Sequence, residues 1–110
     1  MSDTDYPIEH PRKLLVSTPD FDCSTNVIEL GPAEPMTFGH IDVYYWAPSV
    51  RKDLLRRWAE VRPLLPSIVF TMGQNPGPKF HKFVSLLGFR PLNDAPCTDG
   101  NVRTIYAHFR

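Results

Sequence analysis

No stretch of the chain approaches the roughly 20 consecutive apolar residues needed to span a bilayer, so no membrane-spanning helix is expected. Net charge is missing too: 12 Lys and Arg balance 12 Asp and Glu, which argues against a bulk nucleic-acid or membrane-surface binder. Cysteine is scarce. Cys23 and Cys97 stand 74 residues apart with no CxxC, and His10, His40, His81 and His108 have no ligand spacing, so no metal site is expected. P-loop, Gly-x-Gly-x-x-Gly and Gly-x-Ser-x-Gly motifs are all absent, which removes the common nucleotide-binding and serine-hydrolase signatures. The start, Met1-Ser2-Asp3-Thr4-Asp5, is acidic with no apolar run behind it. No secretory leader is therefore expected, and the chain reads as cytoplasmic with two reduced, inert thiols.

What is present is ordinary globular material. With 110 residues, 42% of them hydrophobic, residues 1–110 form one domain large enough to bury a core. Twelve prolines point to short elements joined by stiff turns. The zero net charge hides an asymmetry. Residues 1–40 hold seven acids against Arg12 and Lys13, a net of −5, while residues 41–110 hold five acids against ten bases, a net of +5. The basic half either meets an anionic ligand or pairs with the acidic half.

The patterning predicts a mixed α+β fold. Residues 1–11, with Pro7 and Pro11, read as an extended arm. Lys13–Ser17 and Asn26–Leu30 read as strands, closed by Pro19 and by Gly31-Pro32. Thr37–Trp46 alternates strongly, with Phe38, His40, Asp42, Tyr44 and Trp46 on one face, and its second half suits a strand buried on both sides. Ala47-Pro48-Ser49 ends it, with Ser49 a suitable N-cap for a helix whose apolar stripe is Val50, Leu54, Trp58, Val61 and Leu65. Arg51, Lys52, Arg56, Arg57, Glu60 and Arg62 fill the other faces, and Pro63 and Pro66 close the helix. Trp58 falls in the stripe, so core packing rather than stacking on nucleic acid is its expected job. Ser67–Met72 reads as a buried strand and Lys79–Leu87 as a second helix with Gly88 as its C-cap. An edge strand then begins at Phe89, and Val102–Phe109 alternates cleanly. The order is β-β-β-α-β-α-β-β in a mixed, mostly antiparallel sheet, with Thr37–Trp46 parallel to Ser67–Met72 through a right-handed crossover.

This order, with Phe83-Val84-Ser85-Leu86-Leu87-Gly88-Phe89-Arg90-Pro91 near its end, resembles the C-terminal half of the GNAT acetyltransferase fold over about residues 37–110. It is most similar to short acetyltransferase-like proteins of tailed bacteriophages. The resemblance implies an acetyl-CoA site at the start of the first helix, formed by Trp46, Ser49, Val50, Arg51 and Lys52, with Asn75 opening the second helix 13 residues before Gly88. The family's glycine-rich phosphate loop is missing from Pro48–Leu54, and bulky Tyr45 and Trp46 stand where pantetheine would enter. The family's tyrosine acid aligns with Val84, leaving His81 or Ser85 as substitutes. His40 and Asp42 are the candidate base on the central strand.

Two functions follow. One is a degenerate GNAT-like module that binds a protein partner, such as a host bacterial enzyme, through exposed aromatics. The other is a small N-acetyltransferase using acetyl-CoA on an amine, with His40, Asp42 and His81 catalytic. The missing loop and tyrosine favour the first. An exposed sheet edge also suggests a homodimer.

Overall fold

In a computed structural model, residues 7–73, 78–97 and 99–110 are described. They form β1 (Ile8–Glu9), β2 (Lys13–Ser17), β3 (Phe21–Glu29), β4 (Met36–Val43), α1 (Pro48–Val61), a 3-10 turn (Arg62–Leu64), β5 (Ile68–Met72), α2 (Pro78–Leu86), β6 (Arg90–Pro96) and β7 (Val102–Phe109). The seven strands make one sheet of order β1-β3-β4-β5-β7-β6, with β2 pairing β3 beside β1. Every pairing is antiparallel except β4 with β5, which run parallel and register at Phe38 and Phe70. The expected α+β class and the expected parallel pair are both present.

Crossover handedness sets the layering. The chain leaves β4 through α1 to reach β5, then leaves β5 through α2 to reach β6, moving across the sheet in one direction both times. Crossovers of one hand that move in the same sense place both helices on the same face, and the Trp58 indole of α1 donates to the Leu87 carbonyl at the end of α2 at 3.1 Å. The ring contacts agree. Trp58 of α1 meets His108 edge-on at 5.4 Å, while Phe80 and His81 of α2 lie 5.6 and 5.7 Å from Tyr106. His108 and Tyr106 are two residues apart on β7 and share a face. The core fills this layer with Val16, Phe21, Cys23, Val50, Leu54, Trp58, Val69, Val84, Leu87, Phe89 and Tyr106. No described helix covers the opposite face. There a row of registered residues runs across five strands: Asn26, Phe38, Phe70, Ala107 and Arg90.

Four local expectations need correction. First, α1 is not capped by Ser49. Ala47 is the N-cap, extended and without a side-chain bond, and Pro48 is the first helical residue, its fixed φ suited to that place. Second, the second strand begins at Phe21, five residues early, because Phe21, Cys23 and Thr25 alternate inward. The preceding turn is set by Thr18, whose Oγ1 accepts from the Asp20 and Phe21 amides. Third, β4 stops at Val43, because the Tyr44 and Tyr45 amides turn to donate to the Asp20 carbonyl, and the residues from Asp42 to Trp46 are exposed rather than buried. Fourth, Arg62 is buried, not on a polar face.

α2 ends as anticipated at Gly88, with φ +96°. The Phe89 amide donates to the Val84 carbonyl at 3.0 Å and the Gly88 amide to the Ser85 carbonyl at 3.0 Å, a Schellman closure with Phe89 and Val84 both in the core. β6 is an edge strand, where Pro91 and Pro96 are tolerated.

Candidate functional site

β4 carries His40 and Asp42 on the face away from the helices. His40 Nε2 lies 2.6 Å from Asn26 Oδ1, and Asn26 Nδ2 donates to the His10 carbonyl at 3.1 Å and to Glu9 Oε1 at 3.4 Å. With the amide nitrogen committed as donor, Oδ1 accepts, so Nε2 carries the imidazole proton and Nδ1 keeps its lone pair. Burial holds the His40 pKa below its ordinary value and Arg12 pushes the same way, against the opposing pull of Asp42 and Glu9. A neutral ring with a free lone pair is a competent proton acceptor. Asp42 is exposed and sits 3.7 Å from Arg12, and no hydrogen bond joins it to His40.

His81 lies elsewhere. It is on α2, on the other side of the sheet, with Nδ1 3.2 Å from the Tyr106 hydroxyl. The three candidate catalytic residues are therefore not brought together. Tyr106 itself was missed by sequence reasoning. A tyrosine on a terminal strand reads as core, and only the packing of α2 reveals that its buried hydroxyl is held by a histidine.

The start of α1 gathers most of the candidate cofactor residues. Val50 is buried in the core, whereas Ser49, Arg51 and Lys52 are exposed, and no acid occupies the first turn. The Ser49 and Val50 amides have no partner within the helix. Asn75 lies outside the described residues. The space between α2 and the sheet is lined on the helix side by Phe80, Phe83, Val84 and Leu87. It encloses about 40 Å³, room for a few waters. Drug-sized ligands need about 300–1,000 Å³.

Tyr44, Tyr45 and Trp46 instead face outward, 62, 61 and 46% exposed. The loop backbone, the Tyr44 hydroxyl and the Trp46 ring all have partners. The Tyr44 hydroxyl donates to Asp22 Oδ2 at 2.6 Å, the two tyrosine amides are held by Asp20, and Trp46 meets Phe83 edge-on at 5.8 Å. Both cysteines are free, and burial first, with Asp22 second, pushes the Cys23 thiol up to about 11. Among the described residues, no helix is long and apolar enough to cross a membrane, and no group of three His, Cys, Asp or Glu is placed to hold a metal ion.

Comparison of the chain with protein-family models, with curated proteins and with solved structures finds no match.

Proposed function

We propose that this chain is a GNAT-like module that binds a protein partner. The observation that carries the reading is the run Tyr44-Tyr45-Trp46, three consecutive exposed aromatics just beyond the end of β4, with Tyr44 held by Asp22 and Trp46 against Phe83. Tyrosine and tryptophan dominate the energetics of protein interfaces, and a pre-ordered loop loses little entropy on binding. Exposed Arg51 and Lys52 lie nearby at the start of α1, so a partner surface with carboxylates beside an apolar pocket fits best. The phage resemblance extends the proposal to a modulator of a host bacterial enzyme, acting in the host cytoplasm. The test is capture of one host protein by the native chain and its loss with Tyr45→Ala plus Trp46→Ala, both folded by circular dichroism. Retention by the double variant overturns the reading.

A second reading, a small N-acetyltransferase, rests on the acid-free start of α1 with Arg51 and Lys52 beside it, and on neutral His40 as base. Calorimetric titration with acetyl-CoA separates the two. The module gives no heat of binding. The enzyme gives micromolar binding that Arg51→Ala plus Lys52→Ala weakens.

A further inference from the structure

The cavity beneath α2 rests on a row of three small residues. Thr25, Gly39 and Thr71 stand side by side on β3, β4 and β5, and all three line it. Thr25 registers with Gly39, and the Thr71 hydroxyl donates to the Gly39 carbonyl at 3.0 Å. Gly39 is not required by its backbone. Among the described glycines the positive φ values belong to Gly88 and Gly100, and Gly39 lies inside a regular ladder. A glycine within a strand weakens it and marks a place where a ligand or another chain comes close. A Cβ at Gly39 would meet Val69 Cγ1 at 3.3 Å and otherwise the Phe70 carbonyl at 3.9 Å. The missing side chain thus leaves a notch between two threonines.

Two polar groups beside this notch have nothing to bond. Thr25 is 8% exposed, and Cys23, two residues earlier on the same face, is 3% exposed. Neither the Thr25 hydroxyl nor the Cys23 thiol has a hydrogen-bond partner among the described residues. No fully enclosed side-chain oxygen among them lacks a partner, so the Thr25 oxygen is open to the space that the residue lines. The walls are apolar, built by Trp58, Phe80, Phe83, Val84, Leu87 and Phe89. Leu15 and Ile41 also line the space and are half-buried, so its rim reaches the surface.

We propose that this cavity is a binding site for a small uncharged alcohol of two or three carbons. Charge is ruled out by the lining. It contains no Asp, Glu, Lys or Arg, and the His40 ring is turned to Asn26 on the other face, so an ionised ligand would lose its hydration without compensation. Size follows from volume. At roughly 10–15 Å³ for one water-sized sphere, about 40 Å³ holds about three non-hydrogen atoms. Three waters match that volume but not the bonding, since each wants about 2–4 polar partners and the rings offer none. One oxygen on the floor with an apolar body under Phe80 and Phe83 matches both. The hydroxyl group follows from the floor. The Thr71 hydrogen is committed to the Gly39 carbonyl, leaving its oxygen to accept, while the Thr25 hydroxyl is free to donate. An alcohol oxygen serves either threonine, whereas a ketone can only accept and an alkane can do neither. The inference does not rest on the partner-binding reading, because no residue of the run Tyr44-Tyr45-Trp46 lines the cavity.

The test is an NMR titration of the full chain with ethanol. The methyl signals of Leu15, Val84 and Leu87 should shift and then saturate in the millimolar range, as suits so small a ligand. Benzyl alcohol is too large and should give no saturating shift. Thr25→Val keeps the shape, removes the hydroxyl and should weaken ethanol binding about tenfold. Gly39→Ala sets a methyl in the notch, and Val84→Ile fills the space from the helix side. Each should abolish saturation in a chain that is still folded by circular dichroism. Shifts that rise in proportion to ethanol without saturating overturn the proposal. So does saturation that survives both filling variants, or binding of benzyl alcohol as tight as that of ethanol. Water cross-relaxation at Thr25 with no saturable ethanol response marks a site for ordered water only, and overturns it too. None of these results touches the capture experiment, which reads Tyr45 and Trp46.

Discussion

Arg62 donates from Nε to Nδ1 of His108 at 2.6 Å and from Nη2 to the His108 carbonyl at 3.0 Å. The same guanidinium reaches the Pro66 and Ser67 carbonyls at 2.6 and 2.8 Å. One side chain, 6% exposed, thus ties the end of α1 to the start of β5 and the end of β7. Arg62→Met removes every donor and leaves these acceptors unpaired in a poorly hydrated place. The expected loss is about 2–4 kcal/mol, read as a lower urea midpoint. Arg62→Lys recovers only part of it, since one ammonium cannot span the fork.

Acid should weaken the fold through two histidines. Burial, aided by Arg62, holds His108 below its ordinary value of 6.5, and burial, aided by Arg12, does the same to His40. The unfolded chain then binds more protons than the folded one. Their contribution is whole above about pH 6.5 and is lost as pH falls through the folded values. Urea midpoints should drop between about pH 7.5 and about pH 5, and His108→Gln, which can still accept from Arg62, should make the drop smaller.

Two glycines of similar backbone should respond differently to alanine. Gly88 and Gly100 have φ of +96° and +86°. A Cβ on Gly100 meets nothing within 4 Å, whereas one on Gly88 comes within 3.0 Å of the His108 ring. Backbone strain alone should cost Gly100→Ala about 1 kcal/mol, and Gly88→Ala about 2–3 kcal/mol. Thermal unfolding of the two variants gives the comparison.

Thiol labelling should be biphasic. Cys23 is buried with its pKa raised to about 11, so it is a protonated, shielded thiol at neutral pH. Cys97, partly exposed beside Met72 at 3.9 Å, should react at once with a maleimide in the native state. The second equivalent should appear only in denaturant.

Most elements were legible because their signals are local. The stripe Val50, Leu54, Trp58, the alternation of Val102–Phe109 and the glycine after Leu87 each announce their element within one window. The misreadings arise where a distant group decides. β4 ends at Val43 because Asp20, more than twenty positions away in sequence, takes the next two amides. Arg62 looks like one more basic helix residue, and only the arrival of His108 and the Pro66-Ser67 carbonyls makes it an interior residue. The candidate site was legible in part. His40 and Asp42 share a face as alternation requires, but His81 is set on the far side by a crossover rule that acts on whole elements, not on residues.

The seam between β4 and β5 has a kinetic meaning. The antiparallel ladders β2 to β4 and β6 with β7 join neighbours in sequence, whereas β5 registers Phe70 with Phe38 across 32 residues and with Ala107 across 37. Closing such long loops is entropically slow. The two hairpin lobes can therefore zip early and independently, with their union through β5, guided by α1, as the late event of folding, and the β4–β5 seam, which registers a single pair, as the first line along which a strained molecule would part.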